Sequence, residues 1–234
     1  MLPGDLAVAN TTVAAALYGA FTRTEPVKAV GRGSGISDEV WKGKTAAIRD
    51  AMFRVREFRD DEVRVIAEIG GPDFACLVGL IAQSAARRTP VVVDGSYVAV
   101  AAYVAERLAP GTKRWLIAGQ LTPEPAHLGC VQALELTPVL ALDTTTGAAT
   151  GALAALPTIN LAAELVGDYA PELNVVGTFA GAPPADPLAV LQQAAAPMLT
   201  AVAGFAAASY SETYPEFRDA IQEYLTDDGK KLLE

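Results

Sequence analysis

The chain is expected to be an α/β protein: a doubly wound, Rossmann-like parallel sheet with helices on both faces, followed by a helical C-terminal tail. Three observations predict this. Strand and helix signals alternate from the N-terminus to about Val166. The strand segments read as continuous apolar runs, as strands buried on both faces do. With 234 residues, 51% of them hydrophobic and 19% charged, the chain is long enough for one sizeable domain plus an appendage.

The elements follow in order. "ANTTVAAAL" opens an alanine helix, with Asn10, Thr11 and Thr12 ahead of it as caps or phosphate ligands. "PVKAVG", Pro26 to Gly31, reads as a short strand ending in glycine. "DEVWKGKTAAIRDAMFRV" has helical spacing through Val40, Ala47, Ile48 and Met52, with Ser37 or Asp38 as N-cap. Together they make one β-loop-α unit. "DFACLVGLIAQSAARR" is helical and apolar nearly all round, and "TPVVVDG" is a β-branched strand closed by Asp94 and Gly95. "YVAVAAYVAERLA" is the next helix, "RWLIAG" (Arg114 to Gly119) the next strand, "LGCVQALEL" a short helix and "PVLALD" a further strand. "TTTGAATGALAALP", Thr144 to Pro157, stands where such a fold places a substrate loop. These elements imply a domain over 1–168, a Pro/Gly-rich linker over 169–186 and a helical tail over 187–234. The uncharged run Pro187 to Ser211 is mostly alanine, broken by Gln192, Gln193 and Pro197, and reads as a buried or interface helix, not a membrane span.

Charge narrows the function. A net charge of −9 and a pI near 4.7, with no basic stripe, argue against a nucleic-acid surface and for small-molecule or protein partners. Cys76 and Cys130 lie in apolar surroundings far apart in sequence and read as two buried small hydrophobes in a reducing compartment. "MLPGDLAVANTT" has neither a basic start nor a sustained apolar stretch, so a cytoplasmic location is expected. The lone histidine and the two scattered cysteines have no metal-ligand spacing, and no cofactor is expected.

The chemistry should lie in the loops. "GRGSG", Gly31 to Gly35, is placed between a strand and a helix, where backbone N–H groups and the helix dipole hold anions. It lacks the full dinucleotide fingerprint and the P-loop Lys-Thr pair, so a tight turn without a ligand is an equal reading. Lys44 follows on the next helix, near enough to its start to reach back over the loop, although a lysine there is commonly just solvated.

Taken in order, "GDLAVANTTVAAAL", "EPVKAVGRGSGISDEVWKGKTAAIRDAMFRVR", "GGPDFACLVGLIAQSAARRTPVVVDG", "AERLAPGTKRWLIAG" and "EPAHLG" resemble the C-terminal half of the nicotinate-nucleotide:dimethylbenzimidazole phosphoribosyltransferase family, over about Gly4 to Pro157. The resemblance implies a Rossmann-like homodimer. It implies transfer of phosphoribose from nicotinate mononucleotide to a benzimidazole nitrogen, releasing nicotinate and forming α-ribazole phosphate for cobalamin synthesis. By the same resemblance Asn10, Thr11, Thr12, Gly33, Ser34, Lys44 and Thr122 are substrate- and phosphate-binding positions. Asp5 stands at the family's acidic catalytic position near ribose and base, and Asp94 matches as a strand-end residue.

The chain also departs from the pattern. "TTGAATGA" aligns Gly147, Thr150, Gly151 and Ala152 with the family loop but sets Ala148 where the general-base glutamate belongs. Gln120, Leu121, Thr122 and Pro123 replace a histidine and a serine-rich turn, while Glu124, Pro125 and His127 match, with His127 read first as loop architecture. The segments that match begin at the motif carrying Asp5, and the resemblance leaves three readings of the family's front half, which forms much of the base pocket: the chain is a fragment, another subunit supplies that half, or the pocket is lost. The implied function is a weakened or partner-dependent transferase; the alternative is an inactive relative that binds nicotinate mononucleotide or serves as a subunit.

Overall fold

In the computed structural model the chain divides into two compact units, Met1–Thr178 and Phe179–Glu234. The structure describes residues 1–169, all within the first unit. The expected tail over 187–234, and all but the first residue of the expected linker, lie outside the described residues.

The described residues form α1 (Asn10–Thr22), α2 (Pro26–Ala29), α3 (Asp38–Arg54), α4 (Glu62–Ile69), α5 (Pro72–Ala86), β1 (Val91–Val93), α6 (Gly95–Leu108), β2 (Leu116–Ala118), α7 (Pro125–Ala133) and α8 (Thr150–Tyr169). A 3₁₀ turn over Thr112–Trp115 leads into β2, so the expected strand starts two residues later than Arg114. β1 and β2 pair in parallel, Val91 with Leu116, Val92 with Ile117 and Val93 with Ala118, joined by the α6 crossover. Two more segments lie alongside. The Val92 N–H donates to Met1 O on one edge, and the N–H groups of Val139 and Leu140 donate to Ala118 O and Gly119 O on the other. The expected "PVLALD" strand is thereby reduced to a parallel bridge between Gln120 and Leu140.

Side-chain alternation sends the strands' residues to opposite faces. Val91, Val93 and Leu116 join the large core made with α1, α3, α5, α6 and α7. Val92 packs with Ala149, Ala152, Ile117 and Ile159, so α8 covers the other face. Helices therefore lie on both faces of an open parallel sheet. At the centre is α6, buried from Gly95 through Ala102, against α1, α5 and α7. Its Ala99, Ala101, Ala102 and Ala105 meet Ala14, Ala15, Ala16 and Ala20 of α1 in the same core, where small side chains let helix backbones approach closely.

Four expectations are corrected. Pro26–Gly31 is not a strand: Pro26 at the first helical position suits a helical φ, and the N–H groups of Lys28 and Ala29 both donate to Glu25 O. The glycine loop thus follows a helical turn. Asn10, Thr11 and Thr12 do not cap α1, whose N-cap is Ala9 in the left-handed region with no side-chain bond. Cys76 is exposed, because Phe74, Leu77, Val78 and Ile81 take the inward spacing of α5. Finally, the loop beginning at Thr144 ends at Ala149; α8 starts at Thr150 and carries Pro157 within it. Ser37, one of the two expected caps, does cap α3, accepting from the Val40 N–H at 3.4 Å. Among the described residues no helix is long and apolar enough to cross a membrane.

Candidate functional site

A cavity of about 490 Å³ opens where the loop before α1, the glycine loop before α3, the start of α6, the turn before α7 and the loop before α8 converge. Asp5, Asn10, Thr11, Gly33, Ser34, Lys44, Thr122 and Ala148 all line it. Thr12 does not: one residue further round α1, it turns away from the opening.

On one wall, Asp5 is held by two donors. Asn10 Nδ2 donates to Oδ2 at 2.5 Å, and the Ala7 N–H donates to Oδ1 at 3.0 Å. Asn10 is therefore an anchor for the carboxylate. Lys44 reaches back from the second turn of α3, and its Nζ donates to Thr11 Oγ1 at 2.8 Å and Gly31 O at 3.2 Å. Burial pushes the Lys44 ammonium below the ordinary lysine value, and the nearby Glu124 carboxylate partly offsets this. Two of its three N–H donors are thus engaged, which leaves one for a ligand.

The glycine loop differs from expectation in one respect. The Gly33 N–H is not open to the cavity; it donates to Glu124 Oε1 at 2.6 Å. Glu124, next to the first residue of α7, is 5% exposed, and its Oε2 has no partner among the described residues. Gly31 permits this approach, since a Cβ there would stand 2.2 Å from Oε1. The carboxylate occupies the place that an anion would take in a loop of this kind.

A second polar group underlies the floor. Asp94 is buried and accepts from Gln120 Nε2 at 3.0 Å and from the Gly151 N–H at 2.8 Å, so it ties β1 to β2 and to the first turn of α8. This is the strand-end role expected of it. Gln120 also donates to Thr144 Oγ1 at 2.7 Å. Fully buried His127 accepts the Thr122 N–H at Nδ1 (3.1 Å), and the Thr122 hydroxyl lies 2.8 Å from the same nitrogen. The imidazole is therefore neutral with its proton on Nε2, and burial lowers its pKa to about 4. Its role is architectural, and the Thr122 hydroxyl that lines the cavity is already bonded.

The loop before α8 holds the altered position. Gly147, Ala148 and Ala149 have φ of 60°, 53° and 64°, three left-handed residues in a row. Gly4 fits against them, since a Cβ at residue 4 would meet the Ala148 carbonyl carbon at 2.7 Å. Ala148 faces the cavity that Asp5 lines but offers no proton acceptor. Ser96 and Tyr97, at the start of α6, also line the cavity; no side chain caps this helix. The Tyr97 hydroxyl donates to Asp73 Oδ2 at 2.7 Å, and burial together with that carboxylate pushes its pKa well above the usual phenol range. Among the described residues no group of three or more His, Cys, Asp or Glu side chains can hold a metal ion.

Sequence reasoning left Glu124, Ser96 and Tyr97 without a role. Glu124 stood in a matched segment, but Glu124 and Gly33 are 91 residues apart and only the fold joins them.

A family model described as phosphoribosyltransferase matches residues 1–175, which span the whole cavity. The chain belongs to the phosphoribosyltransferase family. The nicotinate-nucleotide–dimethylbenzimidazole phosphoribosyltransferase of Corynebacterium glutamicum is 51% identical over 168 residues, which cover 72% of this chain and 47% of that protein. The enzyme of the same name from Mycobacterium avium is 46% identical over 189 residues, covering 81% of this chain and 52% of its own length. The chain thus spans about half the length of these relatives. A crystal structure of CobT from Thermus thermophilus superposes with a TM-score of 0.66 at 36% identity, covering 70% of this chain and 49% of that one. Its phosphoribosyltransferase fold agrees with the Rossmann-like expectation.

A second model, described as secretory lipase, matches residues 143–234. Most of that stretch lies outside the described residues. The only histidine of the chain is His127, so the matched stretch contains none and cannot by itself complete a Ser-His-Asp triad.

Proposed function

We propose that this chain carries the phosphoribosyl site of a transferase that moves phosphoribose from nicotinate mononucleotide to dimethylbenzimidazole, giving α-ribazole phosphate and nicotinate. One observation carries the reading: a single cavity is lined by both the half-buried ammonium of Lys44 and the doubly held carboxylate of Asp5. Lys44 binds the 5′-phosphate with its remaining N–H, helped by the hydroxyls of Thr11 and exposed Ser34. Gly33 serves through its left-handed turn and not as a phosphate donor, since its N–H is engaged. Thr12, outside the cavity, takes no direct part.

In the reaction, the bond from ribose C1′ to the nicotinate nitrogen breaks with its electron pair leaving on nicotinate. The lone pair of a benzimidazole nitrogen forms the new bond to C1′, and the benzimidazole N–H proton is lost. Asp5 is the carboxylate left to accept that proton. A positioned general base contributes roughly 10²- to 10⁴-fold, so Ala148 slows transfer without removing substrate binding, and orientation by the phosphate contacts still acts. The chain works as a homodimer or beside a partner chain. The setting is cytoplasmic, with no nucleic acid, membrane or cofactor involved.

The test is nicotinate release from nicotinate mononucleotide and 5,6-dimethylbenzimidazole, with mass detection of the product, beside a Lys44→Ala control. Release that depends on Lys44 together with a ribazole phosphate mass is expected. Product formed equally well by Lys44→Ala, or none at all, counts against the reading.

A further inference from the structure

Glu124 contributes a carboxylate to the proposed anion site that no described residue fully uses. It is 5% exposed, lines the cavity, and has one oxygen bonded to the Gly33 N–H and the other without a partner among the described residues. Lys44 does not satisfy that oxygen, because its hydrogen bonds go to Thr11 and Gly31. Buried polar atoms are nearly always paired, so the free oxygen, lining the cavity, is open to a donor that enters it. Phosphate is excluded as that atom by like charge. A metal ion has no supporting ligand set among the described residues. What remains is a neutral donor, an O–H or an N–H.

We propose that Glu124 is the sugar-hydroxyl acceptor of this cavity: its Oε2 takes a hydrogen bond from a ribose hydroxyl while Lys44 holds the phosphate of the same molecule. The geometry supports this division. Glu124 and Lys44 flank one short stretch of backbone, since the Lys44 ammonium is bonded to Gly31 O and the Glu124 carboxylate to the Gly33 N–H. A phosphate at one and a hydroxyl donor at the other fix both ends of a sugar phosphate. Glu124 thereby selects a hydroxyl-bearing ring over a bare one and sets the orientation of the ring above Asp5. Its fixed position depends on Gly31, where any side chain would collide with the carboxylate. This inference rests on the phosphoribosyl reading.

The experiment is calorimetric titration of the full chain with ribose 5-phosphate and with tetrahydrofurfuryl phosphate, which keeps the ring and phosphate but has no hydroxyl. Inorganic phosphate is the third probe. Wild type should bind ribose 5-phosphate about tenfold tighter than the hydroxyl-free analogue, the effect of a hydrogen bond to a charged acceptor. Glu124→Gln, with thermal unfolding checked, should bring that ratio below about threefold while leaving phosphate binding equal or tighter, because a like charge is removed. Glu124→Met, which has no acceptor, should bring the ratio near one. A wild-type ratio near one, or a ratio unchanged in both variants, overturns the role of Glu124, and the phosphoribosyl reading stands if binding still requires Lys44. Binding of every probe unaffected by Lys44→Ala, or no binding at all, overturns that reading itself.

Discussion

Gly31→Ala is the substitution by which the structure of the anion loop is most directly tested. Gly31 does not have a left-handed φ, so alanine suits its backbone, and in the absence of neighbours the change would stabilise by about 0.4–1 kcal/mol through the unfolded chain. The neighbours reverse that sign. The new Cβ would lie 2.2 Å from Glu124 Oε1 and 2.4 Å from both Cδ and Oε2. Ordinary contact is near 3.5 Å, so the carboxylate must retreat by about 1 Å. The side chain can bend, but only by releasing the 2.6 Å bond from Gly33 N–H. A hydrogen bond to a charged group is worth about 1.5–3 kcal/mol, and the carboxylate is then buried with neither oxygen paired. Gly31→Ala should therefore cost about 2–3 kcal/mol. Urea unfolding of wild type, Gly31→Ala, Glu124→Ala and the double variant measures it as a cycle. With residue 124 truncated the clash is gone, so the second Gly31→Ala step should be neutral or slightly stabilising, a coupling of about 2 kcal/mol or more. Equal costs of Gly31→Ala in the two backgrounds would show that the carboxylate does not occupy the loop, and the assignment of Glu124 would go with it.

Three further outcomes are expected. Ala148→Glu should raise the rate of ribazole phosphate formation by about 10²- to 10⁴-fold in the nicotinate-release assay; no gain would mean that residue 148 does not face the reacting atoms. Ala148→Gly should stabilise by about 0.5–1 kcal/mol, because φ of 53° is unfavourable for alanine and free for glycine, and a loss of stability in urea would contradict the left-handed turn. His127 has a folded pKa of about 4 against 6.5, so the unfolded chain binds a proton that the folded chain refuses between those values. Stability is therefore complete above about pH 6.5 and falls as pH drops through that window, by up to about 3 kcal/mol. His127→Gln should remove that part of the slope, seen by comparing unfolding free energies at pH 7 and pH 4.5.

The legible parts of the fold were those where one local pattern decides. The run of three valines at Val91–Val93 and the helical period from Tyr97 onward gave β1, α6 and their crossover. Pro26–Ala29 misled because "PVKAV" is apolar and β-branched, whereas its helical turn is set by Glu25 O and the proline ring. The start of α8 was hidden by glycines and a proline that mimic a loop. Its anchor, the Asp94 bond to the Gly151 N–H, joins residues 57 apart. The site was legible as a set of positions, because seven of the eight expected residues and Ala148 line one cavity. It was not legible as a circuit of bonds. That Asn10 serves Asp5, that Lys44 serves Thr11 and Gly31, and that Glu124 takes the Gly33 amide are facts of packing between segments distant in sequence or turned toward each other only by α1 and α3.

Ala148 offers no proton acceptor, yet its loop is firmly placed, and the reason is visible in what holds that loop. The backbone at Ala148 and Ala149 is buttressed by Gly4, which has no Cβ to keep it away, and the first turn of α8 is fastened by Asp94. Neither contact involves the side chain at position 148. The buttress comes from the same segment that carries Asp5, so residue 148 and that carboxylate are positioned by one segment. Lys44 and Glu124 are placed from α3 and α7 by a separate set of bonds. In the proposed reaction, binding of the sugar phosphate and acceptance of the proton thus depend on different supports, and a substitution at 148 is expected to change the second while leaving the first intact.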